Sequence, residues 1–120
     1  MSRPKILIVE DDGLVQRAWE AVFAGRGWNV ATASTTAEGL ALLDTSPDYL
    51  LLDLMLPDRG GEVILRRLRE RNLPVHVAVT VGEVAPERLA ELRRMKPEDV
   101  FRHSYNLVDL TWEGDLARAG

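Results

Sequence analysis

The sequence predicts a doubly wound α/β fold, in which a parallel five-stranded sheet is covered by helices on both faces. Three observations lead there. Short β-branched or leucine-rich runs alternate with segments of helical spacing along the whole chain, without a repeat or a low-complexity tract. The runs are apolar at nearly every position, as strands buried on both faces are. Acids or a hydroxyl stand at the carboxyl ends of several runs, where such folds place their sites. A length of 120 residues suits one domain, so residues 1–120 are read as a single unit.

The first strand is Lys5-Ile6-Leu7-Ile8-Val9, stopping at Glu10, Asp11, Asp12 and Gly13. From Leu14, the residues Leu14, Ala18 and Val22, with Val15, Trp19 and Phe23, recur at helical spacing until Gly25 and Gly27 end the helix. Trp28 to Ala33 is a weaker strand, and Ser34-Thr35-Thr36 offers an N-cap for a helix carrying Leu40, Leu42 and Leu43. The third strand, from Tyr49 to Asp53, lies between Pro47 and Pro57. Gly60-Gly61 then opens a helix through Val63, Ile64, Leu65 and Leu68, with Arg66, Arg67, Arg69 and Arg71 on a solvated face near its end. Pro74 to Thr80 is the fourth strand. Pro86-Glu87-Arg88 begins a helix with Leu89, Leu92 and Met95, and Asp99 to His103 forms the fifth strand. A last helix is expected between Asn106 and Ala119, interrupted by Gly114. The strand order expected for five such units is 2-1-3-4-5, the flavodoxin-like arrangement, with the first and third strands side by side at the ligand crevice.

Composition narrows the function. Fifteen basic against nineteen acidic side chains give a net charge of −4, which offers no direct attraction to nucleic acid or to an anionic membrane. A hydrophobic fraction of 46% is globular, so the acidity does not mean disorder, and no stretch is apolar enough to span a bilayer. Without cysteine there is neither disulfide nor thiol chemistry, and the start Met-Ser-Arg-Pro-Lys lacks the apolar region of a signal peptide. A cytoplasmic protein is expected.

Asp53 is the anomaly of the chain, a carboxylate at the end of Tyr49-Leu50-Leu51-Leu52. A charge sent into apolar surroundings is costly unless a cation, hydrogen bonds or an open site compensates it. The predicted topology brings Asp53 beside Glu10 and Asp11, with Thr80 from the fourth strand and Arg102 or His103 from the fifth. Three carboxylates without a thiol suit Mg²⁺, and a carboxylate so placed can accept a phosphoryl group. Taken singly, Glu10, Asp11 and Asp12 read better as helix caps than as metal ligands. His76 reads as a hydrogen-bonded core or edge histidine, and Trp19, Trp28 and Trp112 read as packing.

Together, Lys5 to Asp12, the stretch Asp53-Leu54-Met55-Leu56-Pro57-Asp58-Arg59-Gly60-Gly61 and Val77-Ala78-Val79-Thr80 resemble the receiver domain of bacterial two-component response regulators. The resemblance implies phosphorelay signal transduction by a phosphoacceptor, not a turnover enzyme. Asp53 would accept the phosphoryl group, Asp11 would bind Mg²⁺ directly and Glu10 through water, the Met55 backbone carbonyl would complete the protein's ligands, and Thr80 would be the switch hydroxyl. Implied partners are a histidine kinase or a histidine phosphotransfer protein, an output domain or protein outside this chain, and a second copy in a homodimer. Two departures make it an atypical receiver: Val81 follows the switch hydroxyl where the family has a small residue, and His103 or Arg102 stands where the family has a lysine. Lys96-Pro97 precedes the last expected strand and reads as a helix-end turn. The alternative function is a pseudo-receiver, a protein-interaction module independent of phosphorylation. An aspartate-based phosphatase fits less well, because Glu10-Asp11-Asp12-Gly13 lacks the paired aspartates around a nucleophile.

Overall fold

The computed structural model describes residues 3–54, 56–81 and 99–102. Its elements are β1 (Lys5–Val9), α1 (Gly13–Gly25), β2 (Asn29–Ala33), α2 (Thr36–Leu43), β3 (Tyr49–Asp53), α3 (Glu62–Glu70), β4 (His76–Val81) and β5 (Asp99–Arg102). The strands form one parallel sheet in the order β2-β1-β3-β4-β5. The helices expected from Pro86 to Met95 and from Asn106 to Ala119 lie outside the described residues, as do Trp112 and Lys96-Pro97.

Alternation along the central strands divides the core. Leu7, Val9, Leu50, Leu52, Val77 and Val79 pack with Ile64, Leu65 and Leu68 of α3 and Leu43 of α2. Ile6, Ile8, Leu51 and Ala78 meet Trp19 and Phe23 of α1 and Trp28 on the other face. Both sides of β1, β3 and β4 are therefore largely dry, and each buried leucine or isoleucine contributes about 1.5–3 kcal/mol relative to exposure. Trp28 lies just before β2, not in it, and its ring sits 5.1 Å from Phe23 and 4.5 Å from Tyr49. His76 is not in the core: it is exposed at the amino end of the interior strand β4 and stacks on Tyr49.

The helix boundaries follow their caps. Asp12 Oδ1 accepts from Leu14 N at 2.9 Å and Val15 N at 3.2 Å, which starts α1. Of the apolar residues at helical spacing on this helix, Trp19 and Phe23 are buried and Val15 packs beside them. Leu14 is turned outward and 74% exposed. The arginines of α3 are mostly exposed, and Arg71 beyond its end pairs with Asp44 at 3.3 Å.

Candidate functional site

The sheet register assembles the site. Val9 is level with Leu52, so Glu10 and Asp53 are the next residues of adjacent strands, and Asp53 is level with Thr80. By the two-residue period of a strand, Glu10 continues the side of Ile8, Asp53 that of Leu51 and Thr80 that of Ala78. All three therefore belong to the α1 side of the sheet, at its carboxyl edge. Glu10, Asp53 and Thr80 are 5%, 2% and 4% exposed, whereas Asp11 is open to solvent.

One carboxylate oxygen from each of Glu10, Asp11 and Asp53 lies within 4.8 Å of the others. Capping of α1 falls to Asp12, which leaves its two neighbours for this cluster. Glu10 Oε2 also accepts the Asp11 N–H at 3.1 Å. Burial, the hydrogen-bonded and like-charged Asp53 carboxyl and then the charge of Asp11 push the Glu10 carboxyl up to about 9. Asp11 is raised as well, by desolvation first and then by Asp53. Three oxygen donors so crowded that one holds its proton fit a hard divalent cation, and Mg²⁺ is the common one for carboxylate ligands beside a phosphoryl group.

Neighbouring segments hold the cluster. Gln16 Nε2 donates to the carbonyls of Glu10 and Ala33, both at 3.0 Å, and to Ser34 Oγ at 3.3 Å, joining α1 to the ends of β1 and β2. Leu54 N donates to Thr80 O at 3.1 Å, so β3 and β4 remain joined past Asp53. The chain then folds back, and Gly61 N donates to Leu54 O at 3.2 Å. A Cβ at Gly61 would stand 2.5 Å from the Asp53 carbonyl oxygen, which requires glycine there. In that loop Asp58 bonds the start of α2.

The expected site residues thus divide in two. Glu10, Asp11, Asp53 and Thr80 come together. Arg102 is level with Val81 at the end of β5, while the Arg102 and Val81 side chains, Met55 and His103 lie outside the described residues. Gln16 and Asp58 were not expected at the site. The sequence marks Asp58 only as part of a turn, because its partners are 22 and 21 residues away.

Comparison with known proteins gives the same family. The model of the response regulator receiver domain matches residues 6–110. The transcriptional regulatory protein TorR of the TorCAD operon of Escherichia coli K12 is 32% identical over 123 residues, covering 94% of this chain and 52% of that protein. The probable transcriptional regulatory protein TcrX of Mycobacterium tuberculosis is 32% identical over 90 residues, covering 72% and 38%. This chain thus spans about half or less of the length of these curated relatives. Among solved structures, a CheY-like response regulator receiver domain protein from Methanospirillum hungatei JF-1 superposes with a TM-score of 0.87. It is 23% identical, and the match covers 98% of this chain and 97% of that one. The chain belongs to the response regulator receiver domain family.

Proposed function

We propose that this chain is a working receiver, one unit over residues 1–120, that takes a phosphoryl group onto Asp53 from a histidine kinase or a histidine phosphotransfer protein. The observation that carries the reading is the convergence of Glu10, Asp11 and Asp53 within 4.8 Å at the strand ends, level with Thr80. An Asp53 carboxylate oxygen attacks phosphorus, and an O–P bond forms as the P–N bond to the donor imidazole breaks. The ring leaves neutral when its other nitrogen carries a proton. Mg²⁺, when bound, would supply positive charge to the transferring oxygens.

Glu10, Asp11 and Asp53, with the Met55 carbonyl, would hold the cation, Glu10 through water. Holding it would require Glu10 to give up its proton. Thr80 donates its hydroxyl to a phosphoryl oxygen, and Arg102 or His103 supplies the cation that a lysine supplies elsewhere in the family. The 74% exposed Leu14, two residues beyond Asp12, gives a donor protein an apolar contact beside the acidic loop. Output passes through a domain or protein outside these residues, in the cytoplasm. Among the described residues no helix is long and apolar enough to cross a membrane.

The test is intact mass after incubation with acetyl phosphate and Mg²⁺. A gain of one phosphoryl group is expected, absent without metal and absent in Asp53→Asn. No gain in the parent chain, or equal labelling of Asp53→Asn, overturns the reading, and the former favours a phosphorylation-independent binding module.

A further inference from the structure

The first N–H groups of any helix have no partner within it. In α2, Thr35 Oγ1 accepts the Glu38 N–H at 3.1 Å. The two N–H groups before that one are satisfied from a distant part of the chain. Asp58 takes the Thr36 N–H on Oδ1 at 2.9 Å and the Ala37 N–H on Oδ2 at 3.2 Å. A third bond joins the same segments, as the buried Thr36 hydroxyl donates to the Gly60 carbonyl at 3.2 Å. The Thr36 N–H above all holds the Asp58 carboxyl down to about 2, so these contacts persist at every physiological pH.

A helix needs no carboxylate from 22 residues away to be capped, since Thr35 already stands at its N-cap. What the distant carboxylate adds is a fixed position for its own loop. That loop has little slack. Three residues after Asp58, Gly61 bonds the Leu54 carbonyl and leaves no room for a Cβ against the Asp53 carbonyl. Movement of the loop is therefore felt at the end of β3.

We propose that Asp58 is a positioning residue for the acidic site: by fastening the loop between β3 and α3 to the start of α2, it keeps Gly61 against Asp53 and sets where the Asp53 carboxylate meets Glu10 and Asp11. The inference rests on the reading of these three acids as a divalent-cation site. It makes Asp58 more than a helix cap, and the two roles separate experimentally.

Thr35→Ala removes a cap of the same helix but none of the three bonds to the loop, so it controls for lost helix stability. Magnesium chloride is titrated calorimetrically into the parent chain, Asp58→Ala, Asp58→Asn and Thr35→Ala, and amide exchange is followed at Gly61. Both alanine variants are expected to lower the Tm. Only Asp58→Ala should raise the Mg²⁺ Kd, by about tenfold, the lower range for losing a group that orients metal ligands, and only it should speed exchange at Gly61. Asp58→Asn keeps one acceptor oxygen and should fall between it and the parent, which preserves the test if the alanine variant does not fold. An unchanged Kd in both Asp58 variants, or an equal rise in Thr35→Ala, overturns the proposal. If the parent binds no Mg²⁺, the reading of the cation site fails, and Gly61 exchange alone decides the positioning role: faster in the Asp58 variants supports it, unchanged overturns it.

Discussion

Glu10 joins a buried position to two neighbouring carboxyls, and its proton becomes a stability variable. Its carboxyl is pushed up to about 9 in the folded chain from the ordinary 4.5, so the folded state holds the proton more tightly. The corresponding stability is fully present below about pH 4.5 and is lost as pH rises toward 9. In chelator, the Tm should fall across that window, and Glu10→Gln should flatten the slope. Added Mg²⁺ should raise the parent's Tm more at pH 8 than at pH 5.5 while doing little for Glu10→Gln; thermal scans at the two pH values check both. Gly61→Ala should cost stability by about 1–3 kcal/mol, since the nearest atoms are backbone and cannot turn aside. Urea denaturation measures it. At this scale Asp53 was legible because a charge in an apolar run contradicts its surroundings. Asp12 as the cap, with Glu10 and Asp11 in the cluster, was not separable in the sequence, because three adjacent acids before a helix satisfy either role until geometry assigns them.

Helix α2 shows what an element inherits from the rest of the chain. It is only 8 residues long, too short to persist alone, and its start is completed by Asp58. The Asp58 carboxyl is held down to about 2 from the ordinary 3.8, so its stabilisation is present above about pH 3.8 and lost as pH falls through about 2. Asp58→Asn should therefore shrink the drop in Tm on that acid limb, which thermal scans on either side of about pH 3.8 measure. Gly39, in the same helix, would place a Cβ 2.6 Å from Ile64 Cδ1 and 3.2 Å from Val9 Cγ2. Alanine gains about 1 kcal/mol in helix propensity, but overpacking a fully buried isoleucine costs about 1–3 kcal/mol, so Gly39→Ala should be net destabilising by denaturant titration. Periodicity placed α1, α2 and α3 within a few residues. It could not tell that Leu14 faces outward, because Leu14 and Val15 both begin plausible apolar lines and only packing of Trp19 and Phe23 against the sheet selects the second.

Across the whole molecule, the order β2-β1-β3-β4-β5 was readable from the alternation of elements, since short right-handed connections leave few ways to wind five such units. The same order makes Thr80 a relay position. It is level with Asp53 on one side and with Phe101 of the edge strand β5 on the other. A phosphoryl group on Asp53 must be accommodated where Asp53 and Thr80 are both nearly sealed from water, so the hydroxyl cannot ignore it. Under the proposed function, labelling the parent chain should change amide exchange in β4 and β5. Thr80→Ala should still gain the phosphoryl mass, because the nucleophile and the three acids are untouched, but its β5 amides should respond less. Exchange mass spectrometry on labelled and unlabelled protein compares them. If β5 responds equally in both chains, the response does not pass through the Thr80 hydroxyl. If Thr80→Ala is not labelled at all, the hydroxyl is needed for the transfer itself and belongs with the acids and not with the switch.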